Sequence, residues 1–129
     1  MIMSTMRGAY MKPAVKVIEG YVHSGRVGVL VELALETSFT AGMAQFKQLA
    51  RDLALQVASA SVESVEALMA QPFVKEPSVS VGQLVAEASR ELHERIAITR
   101  FIRWQVEDEG VSSPEPSPAA LAAFAPRRR

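Results

Sequence analysis

Val27, Val29, Val31, Leu33 and Leu35 recur at alternate positions, with Gly28, Glu32, Ala34 and Glu36 between them. That period of two predicts a strand with one face against a core. Leu30 interrupts the polar side, so the second face is expected to be partly covered as well. Upstream, Val15 to His23 alternate more loosely, and Ser24-Gly25 supplies a short turn of the kind that joins hairpin strands. After Thr37-Ser38 the period changes to that of a helix. Met43, Phe46, Ala50, Leu53 and Val57 form one stripe, which Leu49 widens. Thr37 or Ser38 is the natural N-cap, since a hydroxyl there accepts from the unpaired amides of the first turn.

A second, small helix is expected over 62–70, with Val65, Leu68 and Met69 inward. Pro72 and Pro77 then exclude a helix interior, leaving a loop or extended segment. Ser80 and Gln83 have the spacing of a capping box and open a third helix over 81–94, buried through Val81, Leu84, Val85, Ala88 and Leu92. A final strand is expected over 96–106, with Ile96, Ile98, Ile102, Trp104 and Val106 on one face and Arg100 interrupting it. Arg100 and Arg103 are expected at solvent or paired with Glu32.

Strand, strand, helices, strand predicts an α+β fold: a two-layer arrangement with an antiparallel three-stranded sheet and helices on one face. The folded domain is expected over 13–110, after a loose N-terminus over 1–12. A Ser/Pro/Ala-rich segment, 111–129, has too little apolar content to order itself and is expected to be a flexible tail. So small a sheet leaves a face and an edge needing cover, which predicts self-association.

The 129 residues suit one domain, and composition narrows the function by exclusion. Lys plus Arg and Asp plus Glu number 14 each, so no basic footprint points to nucleic acid. The chain has no cysteine and two histidines far apart, leaving little for a metal, and nothing implies a cofactor. No apolar run approaches the ~20 residues of a membrane span, and a cytoplasmic location is expected. His23 suits a surface or packing role, and His93, near a helix C-terminus, is a favourable dipole partner when protonated. Neither a phosphate-binding glycine loop nor a nucleophile with its base is recognisable, so the chain is not expected to be an enzyme.

Three blocks carry a resemblance to a known family. The first is Tyr21-Val22-His23-Ser24-Gly25-Arg26-Val27-Gly28-Val29-Leu30-Val31-Glu32-Leu33. The second is Gln71-Pro72-Phe73-Val74-Lys75-Glu76-Pro77-Ser78 followed by Val81-Gly82-Gln83-Leu84, and the third Phe101-Ile102-Arg103-Trp104-Gln105-Val106. In this order they resemble the core domain of elongation factor Ts over roughly residues 17–110. The resemblance implies the same two-layer fold, and elongation factor Tu as a partner whose GDP release is promoted. Longer members carry the unit twice, while short members pair two chains, which implies a homodimer here.

The family's exchange motif, Thr-Asp-Phe-Val, corresponds to Thr37-Ser38-Phe39-Thr40. The resemblance implies that Phe39 enters an apolar pocket of the GTPase. His23, Arg26, Gln71, Pro72 and Phe73 are further candidate contacts. Ser38 stands where the family has an acidic residue, and Thr40 where it has valine. Nothing before Lys12 resembles the family's N-terminal helical module, and the interval from Ser59 to Glu66 has no room for its helical hairpin. Both features predict a smaller contact area with the GTPase. The residues alone leave Phe39 two roles, a core residue covering the sheet end or an exposed wedge. The alternative function is a non-exchanging interaction and dimerisation module that kept only the core fold.

Overall fold

Ser24 and Gly25 both adopt positive φ, 55° and 68°, and the Arg26 amide donates to the His23 carbonyl at 2.9 Å. This is the mirror-image turn whose twist matches the flanking strands. It joins β1 (Val15–His23) to β2 (Val27–Leu35) in an antiparallel hairpin. The computed structural model describes residues 15–107; the expected loose N-terminus and the whole of the expected tail lie outside them. After the hairpin come α1 (Ser38–Ala41), α2 (Ala44–Ser59), α3 (Val65–Ala70), β3 (Pro72–Phe73), β4 (Glu76–Ser80), α4 (Val81–Leu92) and β5 (Ala97–Gln105). The main sheet has the order β1-β2-β5, entirely antiparallel, with β2 in the centre. The fold is the expected α+β sandwich of one sheet and one helical layer.

Burial follows the alternation of β2. Val29, Val31, Leu33 and Leu35 are buried beneath Phe46, Leu49, Leu53 and Val57 of α2, and Leu68, Val81 and Val85 close the core from α3 and α4. Each such side chain contributes roughly 1.5–3 kcal/mol by leaving water. Ser80 accepts from the Gln83 amide and Gln83 accepts from the Ser80 amide, completing the expected capping box.

Three local expectations change, and a fourth is made definite. The single face expected for β5 does not exist, because the ladder to β2 slips between Glu32 and Leu33. Glu32 pairs with Arg100 and Leu33 with Ile98, leaving Thr99 as an extra residue. Its hydroxyl donates to the Glu32 carboxylate at 2.6 Å and to the Glu32 carbonyl at 3.2 Å, stitching the bulge. One inserted residue reverses the phase of a strand. Ile96 and Ile98 face the core, Phe101 replaces Arg100 on that side, and Ile102 and Trp104 move to the open face.

The first long helix is also split. Gly42 bonds back to Ser38 and Phe39, Met43 is extended, and α2 restarts at Ala44 without a side-chain cap. The 71–80 segment is extended, one of its two expected forms, and makes a small ribbon, β3 paired with β4. Finally, α4 stops at Leu92 because His93 takes a left-handed conformation, φ 58°, a common way to end a helix.

Candidate functional site

Thr37 caps α1, its hydroxyl accepting from the Thr40 amide at 3.2 Å. Within that single turn Phe39 points outward and is 79% exposed, while Thr40 points inward and is 4% exposed. A phenylalanine that covered the sheet end would be buried, so the core role for Phe39 is excluded. Ser38 is exposed beside it. Thr40 is therefore part of the mount and not of the presented surface.

The mount has a partner that the sequence reading missed. The left-handed turn at His93 brings Glu94 back against α1. One Glu94 oxygen accepts the backbone amides of Glu36 at 3.1 Å and Thr37 at 3.2 Å. The other accepts the hydroxyls of Thr37 at 2.5 Å and Thr40 at 2.6 Å. Glu36 returns the contact, accepting the Arg95 amide at 2.8 Å. Two carboxylates thus fasten the exit of β2 and the α1 turn to the entry of β5. The buried Thr40 hydroxyl, which would be costly without a partner, is satisfied.

Partial burial acts to raise the Glu94 carboxyl, but hydrogen bonds from the Thr37 and Thr40 hydroxyls and from the Thr37 and Glu36 amides outweigh it. The net effect holds the group below the ordinary glutamate range. A depressed folded value means that the clamp stabilises the fold fully above the unfolded value. That contribution is lost as pH falls through the folded one. The Glu94 carboxyl carbon, followed by NMR, should therefore titrate below the ordinary range; titration above it would contradict the clamp.

The remaining candidate residues do not join this site. His23 and Arg26 flank the hairpin turn, at the opposite end of β2 from α1. The Tyr21 hydroxyl lies 2.8 Å from His23 Nδ1, and Arg26 pairs with Val106 through a 2.8 Å backbone bond and a longer guanidinium contact. Gln71 and Pro72, followed by Phe73, are held at Gln56, in the last turns of α2 and about 18 Å along that helix from Ala44. Phe73 is buried and cannot be presented; Pro72 is exposed.

Gln56, only 3% exposed on α2, holds that second segment. Its amide nitrogen donates to Gln71 Oε1 at 3.0 Å and to the Pro72 carbonyl at 3.1 Å, and its oxygen accepts the Val74 amide at 2.8 Å. Gln56→Leu fills similar volume but leaves those backbone groups without this partner. It should cost about 1–3 kcal/mol in denaturant unfolding, and a neutral result would contradict this anchoring role.

The expected Arg100–Glu32 pair is present at 3.2 Å. The Thr99 hydroxyl first, then Arg100, holds the Glu32 carboxyl below its ordinary value. Arg103 does not reach Glu32 but donates to the Ala58 carbonyl at 3.2 Å. The open sheet face carries Ile18, Val22, Leu30, Ile102 and Trp104, all exposed. Gly20 leaves room for Leu30 to lie across β1, since a Cβ there would sit 3.2 Å from Leu30 Cδ2. No helix among the described residues is long and apolar enough to cross a membrane.

Fold and site together define a two-layer α+β domain that holds one aromatic out on a clamped turn and, among the described residues, leaves one sheet face uncovered. Known proteins identify its lineage. Elongation factor Ts of Carboxydothermus hydrogenoformans is 31% identical over 155 residues, covering 84% of this chain and 71% of that protein. Elongation factor Ts of Rubrobacter xylanophilus is 32% identical over 135 residues, covering 69% of each. That of Alkaliphilus oremlandii is 29% identical over 143 residues, covering 76% of this chain and 66% of that protein. The chain belongs to the elongation factor Ts family. It spans about two thirds of the length of these relatives, and no protein-family model matches it. The 155-residue alignment exceeds the 129 residues of this chain, so that relative carries internal residues without a counterpart here.

Proposed function

We propose that this chain promotes GDP release from elongation factor Tu, with Phe39 as the group that enters the GTPase. The supporting observation is the placement of Phe39, a large apolar ring turned to solvent on a turn held by four hydrogen bonds to one carboxylate. An isolated exposed leucine or valine would carry no such meaning. A fixed aromatic loses little freedom on docking and suits the anchor of an interface.

The mechanism is a binding linkage and requires no covalent chemistry. A partner that prefers the nucleotide-free GTPase weakens GDP by the same factor as GDP weakens the partner. The place of action on this reading is the cytoplasm. Titrating the chain against nucleotide-free and GDP-loaded elongation factor Tu tests it. Tighter binding to the nucleotide-free form is expected, whereas equal affinity would favour the non-exchanging module.

The protein acts as a homodimer in this proposal, joined through the open sheet face. Ile18, Val22, Leu30, Ile102 and Trp104 form an apolar patch centred on β2 and bordered by the Glu32–Arg100 pair. A second copy presenting the same patch covers it by two-fold symmetry.

A further inference from the structure

We infer that Glu94 is the positioning residue for the Phe39 wedge: by binding the entry and the inner side of the α1 turn, its carboxylate fixes the direction in which the ring points. The inference rests on the exchange reading above for its functional meaning, but its structural part stands independently.

A four-residue helix does not hold itself. Nucleating a turn fixes several backbone angles for a single hydrogen bond, and α1 is cut off from α2 by Gly42 and Met43. The outward Phe39 supplies no packing of its own. Besides the backbone bonds of the turn itself, what holds it among the described residues is the Thr37 cap, the half-buried Ala41 and the inward Thr40. Glu94 engages two of these three. It takes the Thr37 amide and hydroxyl, which fixes the start of the turn, and the Thr40 hydroxyl, which fixes its rotation. Phe39 precedes Thr40, so anchoring Thr40 inward turns Phe39 outward.

The chemistry of the acceptor matters as much as its position. Four donors converge on two oxygens, and only a carboxylate offers enough lone pairs on both without carrying a proton of its own. The amide side chain of a Glu94→Gln variant would still accept the two backbone amides through its oxygen. Its NH₂ group would face two hydroxyls, which can rotate to accept. The charged and titratable groups around the carboxylate come from three elements: Glu36 at the end of β2, Arg90 and His93 on and beyond α4, and Arg95 before β5. Glu36 is occupied with the Arg95 amide and does not substitute for Glu94.

The test uses the full-length chain and two separate readouts. In ¹⁵N-labelled protein, Glu94→Ala should speed amide exchange at Glu36 and Thr37 by about tenfold or more, the loss expected for charge-assisted hydrogen bonds. Amides of Val31 and Leu33 in β2 should keep their protection. The same variant should lower the acceleration of GDP release from elongation factor Tu by about tenfold, with Glu94→Gln recovering part of it.

Unchanged protection at Glu36 and Thr37 overturns the inference, as does lost protection with full exchange activity. If the wild-type chain does not accelerate GDP release, the exchange reading fails, and the two amides alone decide whether Glu94 positions the turn. If Glu94→Ala does not fold, the wild-type Thr37 amide resonance decides. It must move as Glu94 takes up its proton in acid, and a resonance blind to that step overturns the inference.

Discussion

Leu30→Lys should convert the proposed dimer into a monomer without unfolding it. Leu30 sits on the central strand, across from Gly20 on β1 and Ile102 on β5, at the middle of the apolar patch. In a lone chain it is 50% exposed, so a lysine there can extend its ammonium group into water while its stem covers the sheet. In a face-to-face pair the two ammonium groups would be buried near the two-fold axis, against apolar side chains and against each other. Burying an unpaired charge costs several kcal/mol even after relaxation. A cost of about 4 kcal/mol raises the dimer dissociation constant roughly a thousandfold. Sedimentation equilibrium reads the change, and far-UV circular dichroism checks the fold. A variant that still pairs as tightly as the wild type would place the interface elsewhere.

Phe39→Ala should do the opposite, leaving fold and pairing alone and removing function. With 79% of the residue already at the surface, truncation opens no cavity, and exposed positions of this kind change stability by about 0.5 kcal/mol or less. Thr37, Thr40 and Glu94 continue to hold the turn, because none of their hydrogen bonds involves the ring. The loss falls on binding. A buried phenylalanine is worth roughly 1.5–3 kcal/mol, and aromatic anchors at interface centres reach the upper end or beyond. Affinity for nucleotide-free elongation factor Tu should therefore fall by about tenfold to a few hundredfold. Calorimetry measures this directly, and thermal unfolding of the same sample should show an unchanged midpoint.

Local rules carry far along this chain. Alternation from Val27 to Leu35 defines the central strand and its core face, and Ser24-Gly25 defines the turn before it. Ser80 and Gln83 form a reciprocal cap because that motif is closed within one turn of helix. The Glu32–Arg100 pair follows once both strands are placed. What stays hidden is set by contacts between distant segments. The Thr99 bulge depends on Glu32 offering both its carbonyl and its carboxylate to one hydroxyl. No pattern within β5 signals the inserted residue, and extending the alternation through it assigns Ile102 and Trp104 to the wrong face.

The candidate site divides in the same way. The order of residues narrows the cap to Thr37 or Ser38 and leaves Phe39 two roles, and the family resemblance makes Phe39 the candidate wedge. Thr40 reads only as a departure from the family's valine because no neighbour in sequence uses its hydroxyl; the group that does is Glu94, more than fifty positions away. Gln56 falls beside an apolar helical stripe, where its buried amide can be recognised only once the 71–74 segment is seen folded against it. His23, Arg26 and Phe73 share sequence blocks with the family but lie apart from the α1 turn.

The most direct measurement is the rate at which fluorescent GDP leaves elongation factor Tu, with the wild-type chain and Phe39→Ala each at saturating concentration. The predicted result is strong acceleration by the wild type and little by the variant, with both proteins equally folded. Release that the wild type leaves at its intrinsic rate, or that Phe39→Ala accelerates just as well, would contradict the account.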